Sequence, residues 1–145
     1  MIKIEKIPSV NTYSVRISVL RNGKEMKTCT FNGDDLPTTA HFGLYFDDFL
    51  IGIVSVFKSS CTFFNHLDQY QIRGMAVIDS YQNRGFGKLL IQRAENHVNS
   101  LNADLIWMNA RETAVAFYLK LGYETVGNAF IIDGIGNHYL MIKKI

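Results

Sequence analysis

The sequence has 145 residues, 48% of them apolar and 19% charged, which suits one globular domain spanning residues 1–145 and lies far from the disordered regime. Fifteen basic and 13 acidic residues leave a net charge of +2, too small to point to nucleic acid or an anionic membrane as partner. The longest apolar run, Phe49 to Val54, has six residues against about 20 for a membrane span.

The N-terminus, Met1 to Pro8, alternates charge with Ile and has no apolar stretch of a secretory signal. A cytoplasmic protein with reduced thiols is therefore expected. Cys29 and Cys61 form no CxxC pair and cannot make a structural zinc site without two further ligands. Packing is their expected role, and no metal is expected.

In chain order, Ile2 to Ile7 reads as a short strand ended by Pro8. Tyr13 to Leu20 is ambiguous. Tyr13, Val15, Ile17 and Val19 alternate as in a strand, while Val10, Tyr13, Ile17 and Leu20 keep helical spacing, and periodicity alone leaves both open. Phe31 to Pro37 is loop chemistry. His41 to Phe46 and Phe49 to Phe57, parted by Asp47-Asp48, read as a β-hairpin. Residues 58 to 68 are polar and irregular, and Tyr70 to Ile78 is the next strand.

The period then changes. From Phe86, apolar residues recur at Leu90, Ala94, Val98 and Leu101, one stripe of a long helix. Leu105 to Met108 is a short strand. Thr113 to Leu121 is a second helix, with Gly122 as its cap. Tyr123 to Ile132 and Tyr139 to Ile145 close the chain as paired strands around Asp133-Gly134. The order after residue 40 is β-β-β-α-β-α-β-β, a mixed α/β sheet with packed helices.

The segment joining strand 70–78 to the long helix carries the chemistry. Gln82-Asn83-Arg84-Gly85-Phe86-Gly87-Lys88 places two glycines and two cations at a helix start. Free N–H groups and the helix dipole favour a phosphate there, and a glycine lets the backbone approach it. A plain strand-to-helix turn is the alternative. The segment is not a P-loop, because Gly87-Lys88 is followed by Leu89. Nor is it a dinucleotide fingerprint, because Leu90 stands where the third glycine belongs.

This Q-x-R-G-x-G run resembles the acetyl-CoA motif of the GCN5-related N-acetyltransferase (GNAT) superfamily. Gly74-Met75-Ala76-Val77 before it, and Asn109-Ala110-Arg111 and Ala116-Phe117-Tyr118-Leu119-Lys120-Leu121-Gly122-Tyr123 after it, resemble the family's other signatures in the right order. The flanks are similar to small bacterial acetyltransferases of the ElaA type. Those flanks are Arg16 to Arg21, Phe31 to Asp34, His41 to Gly43, and Asp133 to His138.

The resemblance implies a GNAT fold: a mixed, mostly antiparallel sheet of six to seven strands with helices on both faces, and residues 10–21 helical. It implies acetyl-CoA as co-substrate, held by Met75, Ala76, Val77, Gln82, Asn83, Arg84, Gly85, Phe86, Gly87, Lys88, Asn109 and Phe117. Transfer would go to a primary amine of a small molecule or peptide by direct attack in a ternary complex, in a monomer or homodimer. A non-catalytic acyl-CoA-binding module is one alternative, and a protein interaction domain that reuses the fold is another.

By the same resemblance Tyr118 is the expected catalytic residue, donating to the departing thiolate. The general base is not visible, because the fourth strand carries no Glu. His41 and His138 are candidate substitutes, since histidine titrates near neutral pH. Arg73 is expected at the mouth of the site as a binding group, being a poor base. His66 and His97 are expected away from it. The acceptor site is expected among residues 10–40, 58–68 and 128–138.

Overall fold

The structure is a computed structural model that describes residues 1–20, 29–64 and 67–145. Among the described residues, seven strands form one sheet: β1 (Ile2–Ile7), β2 (Ala40–Phe46), β3 (Phe49–Lys58), β4 (Gln69–Val77), β5 (Leu105–Arg111), β6 (Glu124–Ile132) and β7 (Gly136–Lys144). Their spatial order is β1-β2-β3-β4-β5-β7-β6. Neighbours are antiparallel except β4 and β5, which run parallel. The expected mixed sheet is thus present, with α-helices α1 (Tyr13–Val15), α2 (Phe86–Ser100) and α3 (Val115–Lys120).

Two-residue periodicity sorts the strands' side chains onto two faces. One face carries Phe42, Leu44, Val54, Val56, Ile72, Ile106, Met108 and Met141. It packs against Leu90, Ile91, Ala94 and Val98 of α2 and Tyr118 of α3. Each of the aliphatic stripe residues Leu90 and Ile91 is fully buried, worth about 1.5–3 kcal/mol of transfer free energy. The opposite face packs Ile53 and Ala76 against Val15, and Trp107, Leu140 and Ile142 around Cys61. Cys29 and Cys61 are both buried.

The Tyr13–Leu20 ambiguity resolves as helix. A 3-10 turn (Ser9–Thr12) leads into α1, which continues as a π-turn (Arg16–Leu20). Val15 is buried, with Val19 and Leu20 packed against the same cluster. Four- and five-residue spacing, not alternation, selects the inward face. The last expected residue of this segment, Arg21, lies outside the described residues, as does His66. The Asp47-Asp48 connection has positive φ at both residues, 46° and 72°, which is the tight two-residue hairpin geometry. β5 runs three residues past its expected end, to Arg111. Tyr123 precedes β6 instead of opening it: its ring is buried and its hydroxyl donates to Glu95 at 2.8 Å.

One irregularity shapes the function. β4 pairs with β5 only from Gln69↔Leu105 to Gln71↔Trp107. On its other side β4 stays paired with β3 as far as Gly52↔Val77, with a register shift between Ile53 and Ser55. The extra residue falls at Gly74–Met75, where Gly74 has φ +64°. That conformation strains any residue with a Cβ, and a Cβ there would meet the Phe31 ring at 2.9 Å. The bulge bends the strand and turns it from its neighbour. β4 and β5 therefore part at their carboxyl ends.

Candidate active site

The parting of the strands opens a cleft of about 1000 Å³. Its walls come from β4 (Arg73 to Val77), the loop into α2 (Tyr81, Gln82, Asn83, Gly85), the first turn of α2 (Phe86, Gly87), the end of β5 (Met108 to Arg111), and Phe117 and Tyr118 of α3. Leu20, Phe31, Ile132, Ile135 and His138 close the other side. Strand alternation places Arg73, Asn109, Arg111 and His138 on the sheet face away from α2 and Met108 on the α2 face, where Tyr118 of α3 also packs. The cleft thus passes between two strands and meets both faces of the sheet.

At its α2 end the cleft has the chemistry of an anion cradle. α2 is a 15-residue helix whose first turn opens on the cleft. The N–H groups at such a start lack intrahelical acceptors, and the Leu89 N–H, the first to find one, reaches the Gly85 carbonyl at 3.3 Å. Gly85 has φ +84°, and a Cβ built on it would meet no atom within 4 Å. The backbone is thereby bare toward the cleft. Gln82 shapes this loop through its side-chain amide, which donates to the Val77 carbonyl (2.8 Å) and to Asp79 Oδ1 (3.1 Å).

Tyr118 is 6% exposed, its ring edge-on to Phe117 and Tyr123 at 5.0 and 5.8 Å. Its hydroxyl has no hydrogen-bond partner among the described residues, yet it is not sealed from the cleft. Burial pushes its ionisation above the ordinary tyrosine value of 10.0. The phenol therefore keeps its proton and can donate a hydrogen bond into the cleft.

On the opposite face, His138 is 4% exposed. Its Nδ1 lies 2.8 Å from the Gly136 carbonyl oxygen, and the Phe130 ring lies 5.9 Å away. The Arg73 guanidinium is stacked over Phe31 at 4.5 Å and Phe57 at 5.2 Å. Among the described residues that line the cleft, none is Asp or Glu.

Of the residues expected from sequence, Arg73, Met75, Ala76, Val77, Gln82, Asn83, Gly85, Phe86, Gly87, Asn109, Phe117, Tyr118 and His138 line this one cleft. Three do not. The Arg84 guanidinium sits 5.4 Å from the Tyr81 ring, and Lys88 lies on the exposed side of α2. His41 is 3% exposed and elsewhere: its Nδ1 is 2.6 Å from Ser55 Oγ and its Nε2 is 2.8 Å from the Asp34 carbonyl. Both ring nitrogens are spent on structure, so His41 is corrected to a core histidine. His97, on α2, packs against Phe42 at 5.4 Å, away from the cleft. None of the described residues of 58–68 lines the cleft, whereas Leu20, Phe31, Ile132 and Ile135 do. Sequence reasoning gave no role to Arg111. Its place at the end of a strand running parallel to β4 was the available signal, because ligands favour the carboxyl ends of parting strands.

No group of three or more His, Cys, Asp or Glu side chains among the described residues is arranged to hold a metal ion. No helix among them is long and apolar enough to cross a membrane.

Comparison with known proteins agrees with this architecture. Residues 33–144 match the family described as acetyltransferase (GNAT) domain. A Bacillus subtilis (strain 168) protein named uncharacterized N-acetyltransferase YitI is 32% identical over 145 residues, spanning 100% of this chain and 97% of its own. The chain belongs to the GNAT acetyltransferases. In fold it is similar to Escherichia coli ElaA, with a TM-score of 0.79, 17% identity and 99% of each chain covered. It is likewise similar to Arabidopsis thaliana NAA60 crystallised with acetyl-CoA, with a TM-score of 0.79, 14% identity, and 100% and 99% covered.

Proposed function

We propose that this protein transfers the acetyl group of acetyl-CoA to a primary amine by direct attack within a ternary complex. The observation that carries the reading is the cleft itself. It has a bare helix N-terminus at one end, an unpaired strand edge along β4, and a protonated phenol without a partner among the described residues beside it. A pyrophosphate suits the N–H groups at Gly85 to Lys88. The edge of Met75 to Val77 left unpaired by β5, apart from the Val77 carbonyl held by Gln82, offers main-chain groups to an amide-bearing arm, as in strand addition. The NAA60 complex with acetyl-CoA supports the choice of ligand.

The chain's residues then have separable duties. The cleft walls hold thioester and amine together, which removes most of the entropic barrier to their meeting. Tyr118 donates a hydrogen bond to the sulfur as negative charge develops there. An ordinary thiol has a pKa of about 8.5, so a phenol held above 10.0 keeps its own proton while stabilising the thiolate. Arg73 takes part in seating the acceptor.

The test is thiol release from acetyl-CoA with a panel of amino acids, short peptides, polyamines and arylalkylamines, beside calorimetric titration with CoA. Amine-dependent release supports the transferase. CoA binding without release from any amine supports the non-catalytic acyl-CoA module instead.

A further inference from the structure

The acceptor nitrogen must shed a proton, and β4, Gln69–Val77, carries no carboxylate. We infer that His138, through Nε2, is the base that takes it. The inference rests on the transferase reading above.

Four observations converge. First, the partner of Nδ1 is a carbonyl oxygen, Gly136 O at 2.8 Å, which can only accept. Nδ1 therefore bears the hydrogen of the neutral ring, and Nε2 keeps the lone pair. Second, Nε2 has no partner among the described residues, is not a sealed atom, and belongs to a residue that lines the cleft. Third, the ring is held: 4% exposed, anchored at Nδ1, with Phe130 at 5.9 Å and an interplanar angle of 31°. A base fixed this way loses little freedom in the reaction. Fourth, His138 pairs with Arg111 across the β5–β7 ladder, on the sheet face opposite Tyr118. A thioester lying between the parted strands would have the phenol on one side and the imidazole on the other. Donor to the leaving group and acceptor from the attacking group are thereby separated.

The step balances as follows. The neutral amine nitrogen bonds to the thioester carbonyl carbon, and the carbonyl π pair moves to oxygen. The N–H proton of the adduct passes to His138 Nε2. The carbonyl re-forms as the C–S bond breaks, the pair leaves on sulfur under the Tyr118 hydrogen bond, and the His138 proton passes, directly or through water, to the thiolate. Amide and free thiol result.

The experiment has two arms. Nitrogen-15 NMR of histidine-labelled protein reads the tautomer without any substrate. The neutral Nδ1–H form is expected for His138, and an Nε2–H form overturns the assignment. In the second arm, His138→Gln and His138→Ala are assayed with whichever amine of the panel the wild-type protein acetylates. A fall in kcat of about 10²–10⁴-fold is expected, with acetyl-CoA affinity within a few-fold and partial restoration of His138→Ala by added imidazole. Full kcat in His138→Gln overturns the base alone and leaves the transferase standing. Loss of acetyl-CoA affinity along with kcat, without imidazole rescue, also overturns it in favour of a structural role. If the wild-type protein acetylates no amine, the transferase reading falls and takes the base with it.

Discussion

The Arg16 guanidinium holds the Asp34 carboxylate through two hydrogen bonds, Nη1 to Oδ2 at 2.8 Å and Nη2 to Oδ1 at 3.0 Å, with side-chain exposures of 0% and 5%. Around the pair, Arg16 Nη1 also donates to the Cys29 carbonyl and Nη2 to Ser55 Oγ, while the Phe31 N–H donates to Asp34. The guanidinium lies 3.8 Å from the centre of the Phe31 ring. One buried ion pair thus ties the N-terminal helical turns to β3 and to the loop that seals Gly74.

Breaking this pair from one side leaves an uncompensated buried charge. Asp34→Asn and Arg16→Met should each lower stability by about 3–5 kcal/mol, read by urea denaturation. The double variant should cost less than the sum of the two, because they share one interaction.

Asp34 also gives stability an acid limb. Burial works to raise its carboxyl, but the Arg16 hydrogen bond and charge, the Phe31 N–H and His41 outweigh it and hold it below the ordinary carboxylate value of 3.8. A depressed carboxyl contributes fully above its unfolded value, and the contribution fades as pH falls through the folded one. Wild-type stability should therefore drop below about pH 4 more steeply than that of Asp34→Asn. Denaturation midpoints across pH 2.5–6 check the difference.

Gly85→Asn isolates the anion cradle. Asparagine tolerates positive φ better than other residues, so the fold should survive, while its side chain occupies the open space beside Gly85. Losing a charge-assisted contact of about 1.5–3 kcal/mol predicts roughly 10–100-fold weaker acetyl-CoA binding. Unchanged affinity in calorimetry would remove the pyrophosphate from this loop. Gly85→Val should weaken binding at least as much, with added backbone strain.

Tyr118→Phe should lower kcat by about 10²-fold with cofactor affinity within a few-fold, since the hydrogen bond is made in the transition state. With ionisation pushed above 10.0, the phenol remains a donor up to that pH. The wild-type rate should show no alkaline fall attributable to tyrosine between pH 8 and 10. Full kcat in Tyr118→Phe would return the residue to the core.

Arg73→Lys keeps the charge and loses the planar stack on Phe31 and Phe57. A several-fold rise in the acceptor KM with kcat nearly intact is expected. A loss of kcat cured by raising pH would instead mark Arg73 as part of the proton path.

What could be read from sequence follows from range. The change of period at Gln82–Phe86, the Asp47-Asp48 turn and the Gly122 cap are local signals, and they located the hairpin, α2, α3 and the closing strands. Tyr13–Leu20 satisfied two periods at once and was settled by packing of Val15 on Ile53 and Ala76. The Arg16–Asp34 pair spans 18 residues with no pattern between them. The histidines divide for the same reason. A strand residue's face depends on register with distant partners, so His41 turned inward to Ser55 while His138 turned to the cleft, and nothing local to either distinguished them. The parting of β4 from β5 comes from a bulge set against β3, which the strand's own residues signal only as one glycine.

A cleft lined from both faces of a sheet can receive one ligand from each. On the proposed reading, the cofactor lodges from the α2 side and the amine arrives from the side of Arg73 and His138. Neither ligand needs to pass the other, so each can come and go whether or not its counterpart is seated. Double-reciprocal plots should then intersect instead of running parallel. A thiol-free CoA analogue should compete with acetyl-CoA while leaving the amine's entry open. Joining the two ligands through the gap would fuse two independent occupancies into one, and such a conjugate should dissociate far more slowly than either half.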